Sequence, residues 1–389
     1  MTKEGTFYNI LDVRGIAVSI SLHLYNQLED AGVSTDDIYC QIQSKNHTYH
    51  FTKAVITPIW SKGWNQSDSN VYFEPVLVTC RIKNNITPKF ISLNTKSCKN
   101  PKNYFKIERN RKDKVNFTVC VKPLSFKTDI SKELIQWIIM NELLGANKIV
   151  LYYHMVKNKT RNLLEWLQAS YKTVEVKYFK PVTDNSNYFD EVNDIDVKTI
   201  WQKRKYEVTA YNDCFYHNLN SNYVIPLDID EVIVPKRDNN WKDLFRSLSG
   251  TLKGHFASFS VRNTYYFREL DNKTEGEPVF FFKHVSRSKL SDKEESGKSF
   301  ISSTNSLTVF NHYALHTLRP GISRTYFFSS RRVQLNHYRR NCSIVILPEC
   351  DKYISSQRFF DPVIFKYKDE FYSRYRNLSE QLELLKVFG

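Results

Sequence analysis

The sequence predicts an α/β protein, with a domain built on a mostly parallel sheet preceded by a small β-rich domain. Three observations carry this. Up to about residue 115, apolar runs such as Gly15-Ile16-Ala17-Val18-Ser19-Ile20 and Val76-Leu77-Val78-Thr79-Cys80-Arg81-Ile82 are separated by Gly, Pro and Asn, the pattern of strands and turns. From residue 116 the period changes, and strand-like and helix-like segments alternate, which implies βαβ units and parallel pairing. The last apolar run of that series then leads straight into Leu227-Asp228-Ile229-Asp230-Glu231. The domains are therefore placed at 1–115 and 116–389.

Phe117 to Val121 is the first strand of the second domain, and Pro123 is expected to break it. Asp129 is suited to start a helix that Gly145 stops after Leu144, with Leu134, Trp137, Ile138 and Leu144 on one face. Ile149–Tyr153 is a strand, Arg161–Ser170 a helix and Thr173–Tyr178 a strand with alternating polarity. A helix over roughly 199–219 precedes the strand Asn222–Leu227, whose Pro226 suits a strand end. The polar stretch Ser286–Ser299 reads as a loop, at the surface or closing over a ligand.

Composition narrows the class. The 389 residues are 41% hydrophobic and 14% aromatic, enough for a packed core, which excludes a disordered chain. The net charge of +15 raises the local concentration of anions. Arg81–Lys114 alone holds eleven Lys/Arg against Glu108 and Asp113. No nucleic-acid motif accompanies it, so no nucleic acid is expected as partner. Seven cysteines without a CxxC pair argue against structural zinc and suit long-range disulfides in an oxidising compartment, with Cys342–Cys350 the first candidate. Eight Asn-X-Ser/Thr sequons agree with that compartment. No run of 18 apolar residues is present, and Met1–Ile20 reads as neither signal peptide nor anchor, so any membrane attachment would use an anchor absent from this chain.

The acidic cluster carries the chemistry. In parallel α/β sheets, ligands bind beyond the carboxyl ends of the strands. Asp228 and Asp230, spaced i, i+2 across a turning backbone, can both approach one hard cation, Mn2+ or Mg2+. Such a cation neutralises the diphosphate of a departing sugar nucleotide, which is the requirement of a glycosyltransferase of the GT-A type. A plain acidic turn is the structural alternative. The same residues also match the D-x-D-x-[TV] pattern of haloacid-dehalogenase-type phosphatases. That class places its motif on the first strand of its domain, whereas here three strands precede it and no downstream acidic pair follows.

The chain also resembles glycosyltransferase family 92, formerly a family of unknown function, and looks closest to its arthropod-type members. The resembling segments are Val119–Leu124, Leu143–Ile149, Tyr211–Tyr216, Leu227–Pro235, Phe310–Leu315, Leu335–Arg339 and Phe365–Glu370, in that order. The resemblance runs from about residue 116 to the end and more loosely includes Tyr39–Ile42. It implies a GT-A fold, an inverting mechanism, a UDP-sugar donor with galactose known for some members, a glycan or glycoprotein acceptor, and a type II Golgi membrane protein.

Further site residues follow. His337, in Gln334-Leu335-Asn336-His337-Tyr338-Arg339, is expected as a third metal ligand, completing a shell that two carboxylates and a diphosphate leave short. Arg339 suits a phosphate, by its planar fork. Asn212 and Asp213 are expected to hold ribose or sugar hydroxyls, and Lys122 the nucleotide. Inversion requires a general base, for which Glu231 is the candidate, with Asp292 and Glu294 as others. Cys214 is expected to be buried or disulfide-bonded, and His312 a satisfied core histidine on a strand. The predicted function is transfer of a hexose from a UDP-sugar to a glycan. A non-catalytic glycan-binding protein on the same scaffold is the alternative, and the intact Asp228 and Asp230 argue against it.

Overall fold

The computed structural model describes residues 5–9, 13–19, 38–60, 73–82, 86–94, 104–109, 113–181, 197–268, 276–293, 295, 297–340 and 351–384. Their contacts divide into two compact units. One contains residues 1–114, 179–220 and 308–310, the other 115–178, 221–307 and 311–389.

In the first unit, seven strands close a barrel: β1 (Gly5–Asn9), β2 (Val13–Ser19), β3 (Tyr39–Ser44), β4 (Tyr49–Pro58), β5 (Glu74–Cys80), β6 (Pro88–Asn94) and β7 (Phe105–Arg109). The order is β1-β2-β5-β4-β3-β6-β7, and parallel pairing of β7 with β1 closes it. Closure removes the unpaired edges that an open sheet of this size would expose. Cys40, Ile42, Val78, Cys80 and Ile91 alternate inward to form its core, and Cys40 and Cys80 are joined by a disulfide.

The second unit begins with β8 (Val115–Ser125), α1 (Ser131–Leu144), β9 (Lys148–Met155), α2 (Asn158–Ser170) and β10 (Val174–Tyr178). The strand expected to stop at Pro123 runs on to Ser125. A shift of register between Val121 and Leu124 takes the proline, which has no N–H to donate, out of the ladder. Helix α1 ends as expected at Gly145, whose φ of 121° lies in the region that favours glycine.

The helix expected over 199–219 forms as α3 (Val197–His217), but it clusters with the barrel unit instead of with the sheet. Its side chains give the reason. The buried Gln202 exchanges hydrogen bonds with the Phe73 backbone, and the buried Lys205 reaches Glu74 at 2.6 Å while lying over the Trp60 ring.

The chain then continues through β11 (Ser221–Pro226), β12 (Glu231–Pro235), α4 (Trp241–Leu248), β13 (Phe256–Val261), β14 (Asn263–Phe267), α5 (Phe280–Lys283), β15 (Ser286–Arg287), β16 (Lys298–Ser302), β17 (Ser306–Val309), β18 (Ala314–Thr317), β19 (Ser323–Phe327), β20 (Val333–Arg339), α6 (Asp351–Ile354), β21 (Phe359–Phe360) and α7 (Lys368–Leu384). The main sheet has the order β10-β9-β8-β11-β16-β13-β19. Its first four strands are parallel, and β16 runs antiparallel to β11 and to β13. A second sheet has three strands in the order β12-β20-β14. Pro226 closes β11, where its missing donor costs no ladder bond. Among the described residues no helix is long and apolar enough to cross a membrane.

Candidate active site

The site is built where β11 ends. Asp228-Ile229-Asp230 is a tight turn between β11 and β12, closed by two hydrogen bonds: the Glu231 N–H donates to the Asp228 carbonyl at 3.0 Å, and the Asp228 N–H donates to Glu231 Oε2 at 3.0 Å. Trp137 of α1, wholly buried, donates its indole N–H to the Glu231 carbonyl at 2.8 Å. The turn is thereby fixed from the core side, and its two aspartates are partly buried, Asp228 at 19% and Asp230 at 35% side-chain exposure.

Strand β20 supplies the histidine. Antiparallel pairing of β12 with β20 puts Glu231 opposite His337, and the Tyr338 N–H donates to the Asp230 carbonyl at 2.8 Å. His337 Nε2 lies 3.4 Å from Asp230 Oδ2, while Nδ1 lies 3.5 Å from Glu231 Oε1 and 3.4 Å from Asn263 Nδ2. The fold therefore brings His337 and Asp230 together.

Two lysines converge on Asp228. Lys122, on β8, reaches Oδ1 at 3.2 Å, and Lys298, on β16, reaches Oδ2 at 3.2 Å. Lys298 also donates to Glu231 Oε2 at 3.1 Å and to Asn311 Oδ1 at 2.5 Å, so each hydrogen of its buried ammonium has an acceptor. Burial alone would raise the Asp228 carboxyl, but the Lys122 and Lys298 ammoniums and His337 outweigh it and hold the group far below the usual carboxylate range. Asp230 is lowered in the same way, burial being outweighed chiefly by His337. Burial raises Glu231 despite Lys298. Lys298 is raised, its two carboxylates overcoming a burial that by itself favours the neutral amine.

The remaining expected residues fall as follows. Arg339 ends β20, and its charge acts on Asp230. Its Nη1 is buried with no hydrogen-bond partner among the described residues, an orphan donor that an anionic oxygen would satisfy. Glu231, expected as the general base, is only 2% exposed, with one oxygen on its own turn and Lys298 and the other facing His337. So enclosed, it braces the turn and orients the imidazole. Asp292 is 78% exposed beside Lys352, and Glu294 lies outside the described residues.

Asn212 belongs to the barrel unit, wholly buried. Its amide donates to the Val208 and Val309 carbonyls and accepts from the Val309 N–H, which clips residues 308–310 to α3. Asp213 follows it on α3, half-buried. Cys120 and Cys214 are each in a disulfide, as expected of Cys214, whereas Cys342 and Cys350 lie outside the described residues. His312 sits in a bend between β17 and β18 instead of on a strand, its Nδ1 2.6 Å from the Gly297 carbonyl.

The residues that sequence reasoning missed are Lys298, Asn311 and Asn263. Lys298 was hidden in the polar stretch expected to be a loop. Instead that stretch begins with β15, paired to β21, and ends in the fully buried β16. The signal for a strand was present in Lys298-Ser299-Phe300-Ile301-Ser302. Gly297 precedes it for a steric reason: a Cβ there would stand 2.5 Å from the Val261 carbonyl oxygen.

A family model, glycosyltransferase family 92, matches residues 115–375, most of the chain and all of the elements just described around the site. The chain belongs to glycosyltransferase family 92. Membership makes this family 92 chain a glycosyltransferase, with a sugar donor and a glycan acceptor as its substrate classes. No curated protein matches it. The family match begins at the first residue of β8, so the barrel strands lie outside it.

Proposed function

We propose that this family 92 chain is an inverting, metal-dependent transferase with a GT-A type catalytic unit, moving a hexose such as galactose from a UDP-sugar to a hydroxyl of a glycan or glycoprotein, and that the donor diphosphate sits at the Asp228–Glu231 turn. The supporting observation is the meeting of Asp230 and His337 beyond the carboxyl end of β11: a carboxylate and an imidazole nitrogen lie 3.4 Å apart, while the charge of Arg339, whose Nη1 is unsatisfied, acts on the same carboxylate.

The donor set suits a divalent cation in part. Carboxylate oxygen and imidazole nitrogen are ligands for manganese or magnesium, and Asp230 and His337 would hold it. Asp228 is occupied by two ammoniums, and among the described residues no three His, Cys, Asp or Glu side chains form a ready cation cage. The bound cation would neutralise charge on the leaving diphosphate. Within the chain, Arg339 and Lys122 carry the positive charge that meets phosphate oxygens, Lys298 keeps Asp228 and Glu231 in place, and Glu231 holds the imidazole in its orientation. The disulfide-bonded cysteines support folding in the secretory pathway, and the family's Golgi habit agrees with it.

The test is a donor screen. The purified chain is incubated with UDP-, GDP- and CMP-hexoses with and without Mn2+, and free nucleotide is measured, because transferases slowly hydrolyse their own donor. Release from a UDP-hexose that requires Mn2+ is expected. Release that ignores both nucleotide and metal overturns the reading.

A further inference from the structure

The first aspartate of the turn is already engaged. Lys122 lies 3.2 Å from its Oδ1 and Lys298 3.2 Å from its Oδ2, so each oxygen meets an ammonium. A divalent cation on the same oxygen would stand close to that ammonium, and the repulsion is strong where water is partly excluded. Asp228 is therefore a poor ligand while both lysines are in place.

The two lysines differ in their freedom to leave. Lys298 is wholly buried, and its ammonium also meets Glu231 at 3.1 Å and Asn311 at 2.5 Å. Moving it would strand Glu231, itself 2% exposed, without that ammonium. The Lys122 side chain is 32% exposed. An ammonium on a flexible four-carbon stem turns readily where water reaches it. Strands β8 and β11 run parallel with Cys120 opposite Pro226, so Lys122 and Asp228, each two positions further on, stand level.

The charges agree with this division. Among the described residues of the turn, the carboxylates of Asp228, Asp230 and Glu231 stand against Lys122, Lys298 and Arg339. Formal charge is thus balanced before anything binds, and the turn has little net pull on a free cation. A diphosphate adds negative charge and gives Lys122 a second anion to meet.

From this we infer that Lys122 is an internal competitor for the metal: it holds Asp228 until the donor diphosphate draws it away, and Asp228 then turns its freed Oδ1 to the cation. The site thereby takes cation and nucleotide together and discriminates against the cation alone. The inference rests on the proposed reading of the turn as the diphosphate and metal site, and it gives Lys122 and Asp228 partners that exchange on binding.

The test is a Mn2+ titration of the whole chain with and without UDP, followed by the electron paramagnetic resonance of the free aqueous ion. In the parent, UDP should tighten Mn2+ at least about tenfold, and Mn2+ should tighten UDP by the same factor. Without UDP, Lys122→Met and Lys122→Gln should each bind Mn2+ about tenfold more tightly than the parent, as release of a competitor that holds the site roughly nine-tenths of the time does. Lys122→Arg, which keeps the charge, should show no such gain. Adding Asp228→Asn to Lys122→Met should remove the gain, because it arises at Asp228. Folded Lys122→Met or Lys122→Gln with no gain overturns the inference, as does a gain that Asp228→Asn leaves in place. Asp230→Asn separates the two readings. If it loses Mn2+ while the Lys122 variants show no gain, the metal site stands and this inference alone fails. Mn2+ binding that is absent throughout, or indifferent to Asp230, removes the metal site and this inference with it.

Discussion

Lys298 and Asp228, 70 positions apart in sequence, meet at 3.2 Å inside a cage that also contains Glu231 and Asn311. The contact joins β16 to the turn after β11, and it places a permanent positive charge behind the carboxylates. Both partners are removed from bulk water, Lys298 completely, so the pair differs in kind from a surface ion pair.

Removing that charge should be costly. Lys298→Met leaves the buried Glu231 without its ammonium partner and Asp228 with Lys122 alone, and a loss of about 3–5 kcal/mol is expected. Lys298→Arg should recover part of it. Urea unfolding measures both, and a Met variant within about 1 kcal/mol of the parent would refute the cage as a stabilising element.

At Asp230 the expectation is chemical. Asp230→Asn and His337→Ala should each reduce transfer by about a thousandfold, roughly 4 kcal/mol at the transition state, with unfolding midpoints close to the parent. Steady-state kinetics over a manganese series reads the outcome. Near-normal turnover in Asp230→Asn would remove the site from the donor.

The pH response has a defined sign. Glu277 accepts from the Tyr372 hydroxyl, from Lys368 and from the Val279 N–H, and these outweigh a burial that would raise it, so its folded value is depressed. Its contribution is therefore present above the unfolded value of about 4.3 and is lost as pH falls through the folded one. Since Tyr372 and Lys368 lie on α7, the hydrogen-exchange protection of α7, corrected for the pH dependence of the intrinsic rate, should fall below about pH 4, and Glu277→Gln should flatten that dependence. Unchanged protection down to about pH 3 would contradict it.

Cys40 and Cys80 close a loop with a separation of 40 residues. Cys40→Ser should destabilise the barrel by about 3–4 kcal/mol, chiefly by releasing the unfolded chain. Non-reducing peptide mapping should recover the Cys40–Cys80 pair and find Cys120 and Cys214 oxidised. Free thiols at all four positions would argue against secretory folding.

The βαβ series was legible because periodicity reports which face of an element is buried, and β8, α1, β9, α2 and β10 bury theirs against one core. Asp228, Asp230 and His337 were legible by residue type. The antiparallel β16 was not, because its partners β11 and β13 are remote in sequence and a buried lysine looks like a loop residue until its carboxylates are seen. The placement of α3 was hidden for a similar reason. Its ties to Glu74 and Phe73 span more than a hundred positions, beyond any local pattern.

Gly297 has an implication for how variants of this chain are judged. Its absent side chain lets β16 lie against Val261, with 2.5 Å where a methyl group would go. A Gly297→Ala exchange changes no charge and leaves every acidic, basic and imidazole group in the chain untouched. It would nevertheless act as a wedge under the strand that aims Lys298, so a genotype whose motif is intact could encode an enzyme whose charges no longer converge.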